Sequence, residues 1–145
     1  MTGPGALYLN ASIDTDDTNW IVRLSDIDAH GNRRVLTTGW LKASHRELDA
    51  ERSEPWAPHH PNRRRVAVPP GETIEYAIKI YPFSNVFRKG HAIELEIRSI
   101  EADSDVDPAM PPESGHLNSG RSTTHKIFRD KTHRSHLLLP VVPAR

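Results

Sequence analysis

Short runs of period-two alternation, cut every ten residues or so by proline or glycine, constrain this chain more than any other feature. In "VPPGETIEYAIKIYP" (68–82), a Pro70-Gly71 turn precedes Ile74, Tyr76, Ile78 and Ile80, which alternate with Glu75, Ala77 and Lys79. Alternation of this period puts apolar side chains on one side of an extended segment and polar ones on the other, so it predicts a strand half-buried against a core. Leu7, Leu9, Ala11 and Ile13 likewise oppose Tyr8, Asn10 and Ser12. "WIVRLSDID" (20–28), the turn "AHGN" (29–32) and "RRVLTTGWL" (33–41) make a hairpin. Residues 83–100 repeat the logic, with Ile93, Leu95 and Ile97 opposite Glu94, Glu96 and Arg98. "TTHKIFR" and "SHLLLPVVP" close the chain as two more strands. Residues 42–61 contain Pro55, Pro58 and Pro61, which stop any long helix. This stretch is expected to cross the body of the fold, anchored by Trp56. Residues 101–122 are expected to form a polar, proline-containing loop. About seven short strands without a long helix indicate an all-β fold, a β-sandwich.

Charge removes several function classes. Lys plus Arg number 19 and Asp plus Glu number 19, so the net charge is zero. Nucleic acid and anionic membranes both demand a basic excess, and neither is an expected partner. The "RRR" at 63–65 is then an exposed loop face. A neutral surface is only modestly protected against self-association, which leaves a homo-oligomer open. There is no cysteine, hence no disulfide, thiolate nucleophile or Cys-bound zinc. No apolar run approaches membrane-spanning length, and the N-terminus carries no secretory signal pattern. The chain is expected to be soluble, and cytoplasmic rather than secreted. A length of 145 residues fits one domain.

"LNASIDTDDTNW" (9–20) is the densest acidic feature that adjoins a strand. An EF-hand loop starting at Asp14 would put Asn19 at the glycine position and Ser25 at the bidentate glutamate position, so the match fails. "DSDVDP" (103–108) fails in the same way, with Pro108 and Ser114 at those positions. A solvated turn between strands is the favoured reading. The nine histidines show no zinc spacing, because His133 and His136, three apart on a strand, point to opposite faces. No serine lies in a Gly-x-Ser-x-Gly frame, since Leu117 stands where Ser119 would need the first glycine. The residues alone give no catalytic site, no metal and no cofactor.

Several ordered motifs resemble one family. "TGP" leads the first strand, Asp14, Asp17, Thr18 and Trp20 form a D-x-x-D-T-x-aromatic turn, and "AHGNRRVLTTGWL" follows as a hairpin. Farther on, "PPGETIEYAIKIYPFSNVFRKGHAIELEI" carries a V-F-x-x-G-H motif at Val86, Phe87, Gly90 and His91. Together these resemble the C-terminal domain of X-prolyl dipeptidyl-peptidases and cocaine-esterase-like acyl hydrolases, over residues 2–143. Residues 99–122 depart from the family's Ser- and Asn-rich pattern.

That resemblance implies a jelly-roll sandwich related to galactose-binding domains, spanning 1–145 as one domain of a larger hydrolase. It implies an α/β-hydrolase catalytic domain elsewhere in the parent chain as the partner, with this module packing on it and walling its cleft. No catalytic residue carries over, since the family's Ser, Asp and His lie on that other domain. Asp14 and Asp17 are expected to cap the first turn and Trp20 to start the next strand. Val86 and Phe87 are expected in the core, with Phe87→Ala costing roughly 3–5 kcal/mol. Gly90 is expected in a turn conformation costly for other residues, and His91 to hydrogen-bond a neighbouring strand or loop. The alternative is an independent carbohydrate-binding module, for which Trp20, Trp40 and Trp56 are the only tryptophans available.

Overall fold

The computed structural model describes residues 1–100 and 121–143. The expected loop at 101–122, with its acidic "DSDVDP" and Ser119, lies almost wholly outside the described residues. The described residues form seven strands: β1 (Thr2–Ile13), β2 (Asn19–Ile27), β3 (Arg33–Lys42), β4 (Ile74–Ser84), β5 (Ala92–Arg98), β6 (His125–Phe128) and β7 (His136–Leu138). The helical content of the described residues is one 3-10 turn, Ala43–His45.

Two antiparallel sheets result, one ordered β4-β1-β6 with β7 also on β1, the other β3-β2-β5. The all-β sandwich expected from the alternation is what the chain adopts. Along one edge of β1, β7 pairs with Ala6–Tyr8 and β6 with Asn10–Ile13, so two short strands in tandem do the work of one. Ser135, in the connection between them, accepts the Asn10 backbone N–H at 2.9 Å and donates to the Phe128 carbonyl at 2.6 Å. The hydrogen-bond ladder therefore continues across the join.

The inner faces meet in a core of Leu7, Leu9, Ala11 and Ile13 from β1, Tyr76, Ile78 and Ile80 from β4, and Trp20, Val22 and Leu41 from the other sheet. Trp20 lies 5.2 Å from Tyr76 and 5.0 Å from His125, ring centre to ring centre, in tilted and edge-on contacts favoured by ring quadrupoles. Ala43 and Val68 complete this core from outside the strands. At β3 and β4 the sheets touch backbone to backbone, for a Cβ added to Gly39 would lie 2.2 Å from the Lys79 carbonyl oxygen.

Three expectations are corrected. β1 is not half-buried: Asn10 and Ser12, assigned to the solvent side, are 8% and 4% exposed. As the central strand of its sheet, β1 has its second face covered too. Tyr8 stacks on His136 at 4.9 Å and donates its hydroxyl to the Pro55 carbonyl at 2.9 Å, while the His60 ring bridges the Glu47 and Ala77 carbonyls. The 42–61 connection thus crosses the fold as expected, but His60 and Pro55 hold it there, and Trp56 is 52% exposed. Val86 is no core residue either, being 78% exposed, and Phe87 is half-buried. Both follow the end of β4, where Phe83 and Asn85 turn inward instead. The cost of Phe87→Ala accordingly falls below the 3–5 kcal/mol of a fully buried ring, to about 1–2 kcal/mol.

Candidate functional site

The carboxylates of the acidic stretch diverge rather than converge. Asp14 Oδ1 accepts the Thr124 backbone N–H at 2.8 Å, joining the first turn to the segment that leads into β6. Asp16 faces outward between Arg65 and Arg121, each at 2.7 Å. Asp17 points inward: Oδ1 accepts the backbone N–H of Thr18 at 3.0 Å and of Ser44 at 2.9 Å, and Oδ2 accepts the Ser44 hydroxyl at 2.8 Å. Thr18 shares a 2.8 Å hydrogen bond with His125 Nε2, and Trp20 next to it enters the core. Each carboxylate holds a different segment to the turn, an arrangement suited to fixing connections and not to enclosing one cation. Among the described residues no cluster of three or more histidine or carboxylate side chains is placed to hold a metal. His133 pairs with Asp130 at 3.1 Å while His136 lies on Tyr8, so these two histidines serve separate contacts.

These contacts give folding a pH dependence of one sign. Hydrogen bonds from Thr124 hold the Asp14 carboxyl below the usual range, and the Arg65 guanidinium does the same for Asp16. Asp28, Asp130 and Glu47 are depressed likewise, chiefly by Asn32, His133 and Arg64. Carboxyls depressed in the fold support it above their unfolded pKa near 4 and lose that support as pH falls further. Burial pushes His125 below its ordinary value, so the unfolded chain takes up that proton first, beginning near pH 6.5. Stability should therefore start to fall as pH drops through 6.5 and fall more steeply below about 4. Urea midpoints at a series of pH values check this, and His125→Gln should remove the upper part of the decline. A flat profile from pH 7 to 5 in the parent would contradict a His125 imidazole whose pKa is lowered by burial.

The V-F-x-x-G-H motif builds a second feature. Gly90 has φ +85°, a left-handed conformation that a side chain would strain, and it closes a turn in which the His91 N–H donates to the Arg88 carbonyl at 3.0 Å. The turn delivers His91 to Asp26 of β2, with Nδ1 2.8 Å from Oδ1. Asp26 is 4% exposed, and Oδ2 also accepts from Asn85 Nδ2 at 3.1 Å and Arg34 Nη2 at 3.5 Å. Burial opposes its ionised form, but these donors outweigh that and keep the carboxyl below its ordinary range. They line an open groove of about 660 Å³ between the 28–34 turn and the 85–91 stretch. Motif reading found His91 but not Asp26, Asn85 or Arg34. The one local signal was an acid on a strand position that faces inward.

A smaller groove, about 310 Å³, lies where the chain enters β1 and is lined by Thr2, Gly3, Pro4, Trp56, Leu139 and Pro140. Nothing charged faces it. The residues that follow Pro140, Val141 and Val142, are 68% and 62% exposed. Neither groove carries a nucleophile held against a base. No helix among the described residues is long and apolar enough to cross a membrane.

Comparison with known proteins agrees with this picture. A Mycobacterium bovis protein that carries the name of a serine esterase is 27% identical over 98% of the chain, and the cocaine esterase of a Rhodococcus species is 24% identical over the same share. The chain spans only 22% and 23% of their respective lengths. Among solved structures, a CocE/NonD family hydrolase from Staphylococcus aureus superposes with a TM-score of 0.84 at 24% identity, over 98% of this chain and 28% of that one. An aminopeptidase from a Thaumarchaeota archaeon gives 0.69 at 20% identity, over 98% of this chain and 23% of that one. At these identities the superpositions establish the fold. Residues 1–138 match the model of the X-Pro dipeptidyl-peptidase C-terminal non-catalytic domain, and the chain belongs to that family.

Proposed function

We propose that the chain acts as the C-terminal, non-catalytic jelly-roll domain of a serine hydrolase of the acyl-esterase or X-Pro dipeptidyl-peptidase type. It packs on the α/β-hydrolase domain that precedes it and forms part of the wall of its active-site cleft. The reaction, acyl transfer through a Ser-His-Asp triad, belongs to that other domain. The observation that carries this reading is the uncovered apolar face around Trp56, Pro4 and Pro140, continued by Val141 and Val142. Such a face at the start of β1 suits contact with the polypeptide that, in the longer relatives, leads into this domain.

Trp56 also invites the carbohydrate reading, since exposed indoles stack on sugars. A sugar subsite needs free hydrogen-bonding groups beside the ring. Beside the indole N–H of Trp56 itself, the polar side-chain group lining this groove is the Thr2 hydroxyl, which shares a 3.1 Å hydrogen bond with Ser84. The chemistry favours a protein surface.

Two measurements test the proposal. The 145-residue chain should turn over a p-nitrophenyl ester no faster than a heat-killed control. Joined to its hydrolase domain, Trp56→Glu should lower the melting temperature and the esterase rate of the longer protein, yet leave the melt of the chain alone nearly unchanged. Turnover by the chain alone, or an unaffected longer protein, would overturn the reading.

A further inference from the structure

The 28–34 and 85–91 groove holds hydrogen-bonding capacity that the fold leaves unused. Its acceptors are occupied. Both oxygens of Asp26 are engaged, by His91, Asn85 and Arg34 as described above. Asp28 receives the backbone N–H groups of His30 and Asn32 at 2.8 and 2.9 Å, and the Asn32 side-chain amide at 2.8 Å. Arg33 is taken by Glu94, 2.6 Å from its Nε.

The donors differ. Among the described residues, Arg34 reaches Asp26 and Asn85 through Nη2 alone, which leaves its Nε and Nη1 groups available there on a side chain 66% exposed. Arg88 lines the same groove, is exposed, and has no ion pair or hydrogen-bonding partner for its guanidinium among the described residues. Two guanidinium groups with open donors over a floor of satisfied acceptors is the chemistry of anion recognition, and their planar forks match a carboxylate. Val86 also lines the groove, 78% exposed, which favours an anion attached to apolar carbon over a bare inorganic ion.

We propose that this groove is a carboxylate-binding site, in which Arg34 and Arg88 hold the carboxylate, Asp26 and Asn85 position Arg34, and Val86 meets the carbon next to the charge. The charges of Asp26 and Asp28 offset those of the two open arginines. Selectivity therefore rests on directed N–H bonds, and affinity for a small carboxylate should be on the order of millimolar. The site does not depend on the docking proposed above. Its carboxylate could be free in solution or an Asp or Glu side chain of a packed domain.

Titration of the chain with sodium butyrate, acetate and phosphate at fixed ionic strength, followed by nitrogen-proton NMR, tests the site. Saturable shifts should appear at the Arg34 and Arg88 side chains and at Val86, with butyrate binding more tightly than acetate or phosphate. Arg88→Ala, a change at an exposed residue that leaves the fold intact, should weaken butyrate about tenfold. Absence of saturation, or equal affinity in Arg88→Ala, overturns the site and leaves the docking proposal standing. Repeating the titration with the chain joined to its hydrolase domain then identifies the source. A groove that still responds binds a free carboxylate. A groove that becomes silent, and responds again in a Trp56→Glu variant that loosens docking, holds a side chain of the packed domain.

Discussion

Gly39→Val should lower the stability of this protein by about 3 kcal/mol or more, and Gly39→Ala by nearly as much. Gly39 lies on β3 where that strand packs directly against the backbone of β4. An added Cβ would sit 2.2 Å from the Lys79 carbonyl oxygen, 3.1 Å from its carbon and 3.2 Å from Ile80 Cα. These are backbone atoms, so no side chain can rotate out of the way. Relief would require β4 to move, and Lys79 and Ile80 are paired with Ala6 and Gly5 of β1. The collision therefore spreads into the central ladder, which is why the cost belongs at or above the upper end for overpacking. For a chain of this size it corresponds to a fall in melting temperature of about 6–12 °C. Gly31→Ala is the natural control. Nothing lies within 4 Å of its added Cβ, and only its φ of +85° opposes the change, at about 1 kcal/mol. If Gly39→Ala melted within a degree of the parent, the sheets could not approach as closely as described.

Asp17→Ala should cost about 3 kcal/mol, read from urea midpoints. Asp17 is 9% exposed, and Ser44, which its carboxylate holds by both N–H and hydroxyl, is fully buried. Removing the carboxylate leaves those two donors unpaired where water cannot replace the partner, and each such loss costs about 1–3 kcal/mol. It also frees the chain at a junction, because the neighbouring Ala43 N–H donates to the Thr18 carbonyl at 2.8 Å. Asp17→Asn keeps one acceptor oxygen and should cost about half as much. An alanine variant as stable as the parent would show that Ser44 finds another partner, and the acidic stretch would lose its role in joining the first turn to the end of β3.

Some of this was legible in the residues. The hairpin of 19–42, the strand beginning at Ile74 and the two closing strands follow from period-two alternation and turn chemistry, which act within a few residues of each other. Family membership was legible because several separated motifs kept their order. Other features were not. The pattern of β1 predicts one buried face, whereas both are covered, because coverage depends on where the 42–61 connection and His136 come to lie. Val86 and Phe87 look like core residues by hydrophobicity, but the chain has left the strand before reaching them. The groove around Asp26 draws on β2, β3 and the 85–91 stretch. No local pattern joins those segments.

The sequence by itself determined that this chain is an all-β sandwich, which family it belongs to, and that none of its serines stands in a Gly-x-Ser-x-Gly frame. Those properties rest on local alternation, turn residues and ordered motifs. Only the tertiary structure decided which acids are buried, which aromatic side chains remain exposed, and where Arg34 and Arg88 line one groove. Each of these depends on segments far apart in the chain being brought within a few ångströms, and that juxtaposition comes from packing two sheets together.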